Sequence, residues 1–407
     1  MSILIHPTTS LEVPKTATLS RVVILFGLMA LMLCVPLLNK CFWAAILLIL
    51  ASNSWYKDWK VLLQKEVFVV ALVLILLFTL GITYSHASWN YAFRSWDKYL
   101  KIFYLLFFLP LFIQKKARTQ AIYCLIISVM VSEIFTYLHF FNLLDLGFPT
   151  SKHWLFVQDI DAGFVVSFTA FVLVNLAVDN KRWRAIFLIC FLICSIDVLI
   201  LNQERTGYLI YLALAALFFL QRFRWKGVLA AIILLPLFFA SLYISSDQFN
   251  NRTNQVVSNI LDYQKGNQNT SIGLRLSFAQ YSFSVIKHHL LIGSGTGSFE
   301  EIYRTLNGPK INNETWPAHP HNEYISILFQ LGVVGLSIFL YWIYLQIRFS
   351  FSLPQEEKFL MQGLVLAFVL LGFCNASLLV NPAGACYVSF LAIFMAAKYE
   401  GKGIKCE

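Results

Sequence analysis

Apolar runs recur along this chain at lengths that a soluble core does not require. They lie near 21 to 37, 41 to 55, 66 to 84, 99 to 114, 119 to 143, 162 to 179, 185 to 202, 207 to 221, 227 to 245, 323 to 347, 358 to 377 and 380 to 397. A helix needs about 20 apolar residues to cross the hydrocarbon layer of a bilayer. The pattern predicts an all-α, polytopic transmembrane helical bundle of about twelve spans, the second and eighth of them short. Composition agrees, with 58% hydrophobic and only 13% charged residues, where soluble domains carry about 25% charged. The 37 Phe, 18 Tyr and 10 Trp suit lipid-facing surfaces and interfacial belts. A net charge of +10 suits anionic headgroups or anionic substrates, so membrane lipids are expected partners and nucleic acid is not.

Loop charge predicts the orientation. With the N-terminus inside, the cytoplasmic segments collect 19 of the 31 Lys and Arg, among them Lys115, Lys116 and Arg118, then Lys181, Arg182 and Arg184, then Arg222, Arg224 and Lys226. The expected organisation is a cytoplasmic tail at 1–20, spans one to nine at 21–245, a large extracytoplasmic loop at 246–322, spans ten to twelve at 323–397 and a cytoplasmic tail at 398–407. The apolar run after Ser20 is too long for a signal peptide and lacks a small-residue cleavage site, so the first tail is read as retained. None of the eight cysteines falls in the large loop, which excludes a disulfide framework there.

Basic residues near the outer ends of spans run against the charge rule. Arg94, Lys98 and Lys101 precede or open the fourth span, Arg205 sits between the seventh and eighth, and Arg275 and Lys287 lie in the large loop. Lys98 and Lys101 are read either as snorkelling anchors or as functional cations. The connection Asn202-Gln203-Glu204-Arg205-Thr206-Gly207 is so short that the Arg205 guanidinium is held at the membrane boundary, where a bound anion gives it a reason to stay.

Within the large loop, 246–269 is polar and uninformative. From Ser271 to His289 the pattern is helical, with Leu274, Phe278, Tyr281 and Val285 on one stripe and Ser271 as candidate N-cap. Arg275 opposes the helix dipole in that first turn unless an anion is present. Gly293-Ser-Gly295-Thr-Gly297 either brings backbone N–H groups to a phosphate or makes a tight reversal; it lacks the Lys-Ser/Thr of a P-loop. The loop ends in His319-Pro320-His321-Asn322. A His at the start of a helix is kept neutral by the positive end of the dipole, the state a general base requires. His-x-His as a metal pair lacks a third ligand at metal spacing, and Asp159-x-Asp161, though of the form of a metal motif, is a short carboxylate pair of a kind common at loop ends.

His321-Asn322, nine residues, then Gly332-Val-Val-Gly335 reproduces the signature of bacterial O-antigen ligases at every specified position. The order of parts also resembles that family, with a long loop between spans nine and ten that carries an Arg and a His-His-Leu-Leu-Ile-Gly-Ser-Gly-Thr-Gly-Ser-Phe stretch. One departure is Ala279, where the family pattern has Leu four residues after the loop Arg. The resemblance implies a glycosyltransferase that joins a glycan carried on undecaprenyl pyrophosphate to a hydroxyl of the lipid A core at the periplasmic face of the inner membrane, with no cofactor. On that expectation His321 is the base, Arg205 and Arg275 stabilise the pyrophosphate, and Arg94, Lys98, Lys287, His319 and Asn322 are candidate substrate-binding residues. Gly332 and Gly335 are read as packing residues. An O-antigen polymerase and an O-linked protein oligosaccharyltransferase share the general layout. An anion transporter is the non-enzyme alternative, though it favours midplane ionisable groups and internal repeats; only Glu133 and Asp197 fit the former, and no repeat is present.

Overall fold

The computed structural model describes residues 15–401 except 53–54, 145–155, 203, 246, 307, 309 and 312–315. Most of the N-terminal tail and residues 402–407 of the C-terminal tail therefore lie outside the described residues. The chain runs through α1 (Lys15–Met29), α2 (Val35–Ala51), α3 (Trp55–Leu62), α4 (Glu66–Thr83) and α5 (Trp89–Tyr99). It continues through α6 (Tyr104–Phe108), α7 (Lys115–Phe140), α8 (Asp159–Asp179), α9 (Arg184–Ile196) and α10 (Arg205–Ser245). Then come α11 (Asp247–Gln264), α12 (Ser271–Ile286), α13 (Phe299–Thr305), α14 (Glu323–Ser350), α15 (Gln355–Gly372) and α16 (Ala383–Met395).

Among the described residues, six helices are long and apolar enough to cross a membrane, or seven if the bent pair α2–α3 forms one span. The remaining apolar stretches take other forms. The first turns at 30–34 and restarts as α2, with Pro36 in the first turn, where its missing N–H costs nothing. The fourth breaks into two 3₁₀ turns around α6, the second containing Pro110. The eighth and ninth fuse into α10, which breaks at Arg224 (φ 53°). The polar segment expected to be uninformative holds α11, an amphipathic helix whose apolar residues Val256, Val257, Ile260 and Leu261 recur at helical spacing.

Two features of the packing position the site. At the centre, α8 is buried along most of its length, and it meets α10 through glycine: a Cβ on Gly163 would lie 3.2 Å from the Gly207 Cα. Small residues allow backbones this close, and the contact seats the first turn of α10 and hence Arg205. Ser167 reinforces it by donating to the Gly207 carbonyl at 3.3 Å.

The second feature is a break in α14 at Gly332, whose φ of 65° and ψ of −166° belong to glycine alone. The Leu290–Gly297 segment is wedged into that break. Ser294 and Gly295 donate to the carbonyls of Phe329 and Gln330 at 2.8 and 2.9 Å, and Val333 donates to that of Leu290 at 2.8 Å. The wedge thus satisfies backbone groups that the helix break exposes, as the membrane interior demands. A Cβ on Gly332 would sit 2.3 Å from the Leu291 backbone, and one on Gly293 would sit 2.4 Å from that of Gln330. The signature glycine and the glycine-rich loop are two halves of one close contact.

Candidate active site

On α12, residues 271, 275 and 278 follow the i, i+4, i+7 spacing of a single helix face. The helix is capped one residue earlier than its sequence suggests, by Thr270, whose hydroxyl accepts the Gly273 N–H at 3.0 Å. Ser271 is thereby released to accept a hydrogen bond of 2.5 Å from the Arg205 guanidinium. One turn on, Arg275 stands close enough to His321 for its charge to act on the ring. After it, Phe278 lies nearly parallel to the His321 imidazole, with centroids 5.6 Å apart. The apolar side of α12 packs Phe278, Leu274, Tyr281 and Val285 against Phe299, Tyr303 and Phe329. That packing holds the helix over the start of α14.

His321 has a φ of 50°, a left-handed conformation that costs a non-glycine residue about 1–3 kcal/mol and concentrates at functional sites. Its neighbours hold it there. The His321 N–H donates to His319 Nδ1 at 3.3 Å, and the two rings lie 4.5 Å apart. Asn322 caps α14, accepting the Ile325 N–H at 2.9 Å and donating to the Phe373 carbonyl at 3.2 Å. Both ends of its amide are engaged, so its local task is to fix the turn that presents His321. Burial first, and then the Arg275 charge, push the His321 pKa down to about 4. Burial, His321 and Lys98 hold His319 well below the ordinary range too. Both rings are therefore neutral at physiological pH, the outcome expected from the helix dipole but with a different main cause.

In front of His321 opens a cavity of about 600 Å³, to which His319, Lys98 and Lys101 contribute. Burial and the nearby Arg94 charge draw the Lys98 ammonium below its usual pKa. Lys101 is only 4% exposed, and its Nζ donates to Asn381 Oδ1 at 2.7 Å and to the Val380 carbonyl at 3.2 Å. Behind it stand Asp161, held by Asn375 at 3.2 Å, and Glu323, which accepts the Leu378 N–H at 2.8 Å. These contacts tie the 375–381 segment to three distant parts of the chain.

The structure thus gathers Arg205, Arg275, His319, His321 and Lys98. It does not gather the other two basic candidates. Arg94 is exposed and does not line the cavity. Lys287 is exposed at the far end of α12, twelve residues and about 18 Å of helical rise from Arg275. Nor is the glycine-rich loop a phosphate cradle, because the N–H groups of Thr296 and Gly297 are also taken, by the Gly81 carbonyl and the Gln330 side chain. Lys101 was legible as a basic residue out of place. Nothing in the sequence pointed to Asp97, Trp43, Trp316 or Asn381 as its companions in the cavity.

No curated protein matches this chain. Residues 190–340 match the family model described as O-antigen ligase, a segment that runs from α9 through Arg205, Arg275 and His321 and past the break in α14. Over 190–340, somewhat more than a third of its length, the chain is thus similar to the O-antigen ligase family, and that match together with the apolar helices supports an integral membrane protein of the O-antigen ligase and polymerase type.

Proposed function

We propose that the protein transfers a glycan from undecaprenyl pyrophosphate to a hydroxyl of the lipid A core at the periplasmic face of the bacterial inner membrane. The observation that carries this reading is the face of α12 on which Ser271 holds Arg205, Arg275 stands beside His321, and Phe278 covers the imidazole. Two guanidiniums and one neutral imidazole are the parts that displacement of a pyrophosphate from an anomeric carbon requires.

In the reaction the acceptor oxygen bonds to the anomeric carbon as the bond from that carbon to the pyrophosphate oxygen breaks. The acceptor proton passes to His321, and the negative charge left on the pyrophosphate is met by Arg275 and Arg205. Guanidiniums offer planar, paired donors that match phosphate oxygens. A pyrophosphate next to Arg275 also offsets the charge that depresses the His321 pKa, so the base strengthens when the donor is bound. A single in-line displacement inverts the anomeric carbon. Because fixed guanidiniums neutralise the leaving group, the reaction needs no divalent ion.

The test is transfer by purified protein given lipid-linked glycan and lipid A core. Glycosylated lipid A core of inverted anomeric configuration, formed in the presence of EDTA, supports the reading. Loss of transfer in EDTA that Mg²⁺ restores removes the arginine-only account. Elongation of the lipid-linked glycan in place of transfer to lipid A makes the protein a polymerase.

A further inference from the structure

His321 has two sides. We infer that they separate the substrates: the cavity in front of His321 receives an uncharged sugar ring of the acceptor, while the donor pyrophosphate stays on the α12 side. This assignment rests on the glycosyl-transfer reading above and goes further by giving each substrate its own wall.

The charges differ between the α12 side, where neither Arg275 nor Arg205 lines the cavity, and the cavity itself. On the α12 side, Arg275 has no ion-pair partner among the described residues, so an arriving anion finds an uncompensated guanidinium. On the cavity side the buried cation is already answered. Lys101 spends two N–H groups on Asn381 and Val380 and stands between Asp161 and Glu323. Lys98 lies within the fields of Arg94, Glu300 and Asp97, with carboxylates close by but no ion pair among the described residues. A phosphate entering here would meet Asp97 in the lining and a Lys101 already committed to Asn381, Val380, Asp161 and Glu323, and would have to give up its water for them. Burying a charge without a surplus of opposite charge is costly, whereas burying hydroxyls costs little if each finds a partner.

The walls suit hydroxyls. Trp43 and Trp316 line the cavity and offer flat apolar faces to the C–H side of a pyranose, with Lys310 lying 5.1 Å from the Trp316 ring centroid. Asp97 supplies acceptors, and Gln158 both donors and acceptors. Asn39 and Asn381 form an ordered pair. Asn381 Oδ1 takes the Lys101 proton and its Nδ2 donates to Asn39 Oδ1 at 2.9 Å, which leaves the Asn39 amide N–H groups as the donors offered to a ligand. The volume of about 600 Å³ is in the usual range for a small-molecule site. A ring seated there places a hydroxyl against His321, which Phe278 covers from α12 and on which the Arg275 charge acts.

The experiment uses the full-length protein in nanodiscs and the variants Trp316→Ala, Trp316→Phe and Asp97→Asn, with initial rates measured against lipid A core and, separately, against lipid-linked donor. The expected result is an acceptor KM raised about tenfold or more in Trp316→Ala and Asp97→Asn, as loss of one stacking or hydrogen-bonding partner predicts. Donor KM should stay unchanged, and Trp316→Phe should recover most of the effect. Delipidated core oligosaccharide should quench tryptophan fluorescence of the wild type, and inorganic pyrophosphate should leave it unmoved. An acceptor KM unchanged in both variants, a donor KM that rises as much as the acceptor KM, or quenching by pyrophosphate overturns the assignment of walls while transfer by the wild type leaves the glycosyl-transfer reading standing. Absence of transfer by the wild type removes both.

Discussion

At the end of the bundle where α14 finishes, Arg118 is 2% exposed and fully answered: its guanidinium meets Glu357 at 2.9 Å, Glu400 at 2.6 Å and the carbonyls of Phe112 and Ile113. Nearby Arg222 holds Asp179 through two bonds of 2.6 Å. At the end where α14 begins, Arg275 has no carboxylate within ion-pair distance among the described residues. The same side chain is thus a structural clamp at one end and, on the reading proposed above, an open anion receptor at the other. Burial does not separate Arg222 from Arg275, both of them partly buried, and neither does a count of basic residues. What separates them is whether the charge is already spent, which makes the contrast a rule for finding the site, and one that substitutions can break.

The largest effects should come from the open end and be confined to chemistry. His321→Ala is expected to lower transfer by about 10²–10⁴-fold, the usual worth of a positioned base. Arg275→Ala should cost about 10²–10³-fold, as for loss of a donor to developing charge. Both variants should keep the wild-type melting temperature in detergent. A destabilised Arg275→Ala protein would mean that this guanidinium is spent after all, and the contrast would collapse.

The reverse pattern is expected of Arg118→Met. It strands Glu357, whose side chain is only 9% exposed, and removing one partner of a buried pair costs about 3–5 kcal/mol. The more exposed Glu400 adds little to that figure because water screens it. Thermal or denaturant unfolding should register the loss, while the fraction that stays folded should transfer glycan at the wild-type rate per molecule.

These two ends were not equally legible in the sequence. His321, Arg275 and Arg205 stood out because each breaks a local rule: a cation in a first turn, an Arg in a six-residue outer connection, a His at a helix start. Such violations are read within a few residues. Lys101 broke a rule too, but its meaning depends on Asp161, Glu323 and Asn381, which reach it from separate parts of the chain. The glycine-rich loop is a similar case. Its phosphate-cradle look is local, whereas its actual partner is the break at Gly332, some forty residues on. Helical character followed from hydropathy alone, but the way the first and fourth apolar stretches break depends on turns at 30–34 and around Pro110.

A smaller effect, in pH dependence, sharpens the contrast from inside the site. With the His321 pKa pushed down to about 4, the neutral ring is the active form and is lost only as pH falls through that value. The kcat/KM profile, which reports the free enzyme, should therefore be flat from pH 8 to about pH 5 and decline below. Arg275 is the second cause of the depression after burial. In Arg275→Gln the acid limb of the residual activity should move upward, toward the ordinary imidazole value of about 6.5. An unmoved limb would show that the guanidinium does not act on the ring.

The smallest effect is expected of Arg222→Lys, and its smallness is the point. Arg222 spends its fork on Asp179 and on Asn175, and lies 5.2 Å from the Phe359 ring. Lysine keeps the charge but cannot reproduce the paired geometry. Because Asp179 is 36% exposed, water screens the pair and the loss should stay within about 1 kcal/mol. Transfer should be unaffected, measured beside Arg275→Lys, where the same change of shape removes paired recognition of a phosphate and should lower kcat/KM. If the two substitutions lowered transfer equally, a spent arginine would matter as much as an open one, and pairing would no longer mark which end of the bundle carries the chemistry.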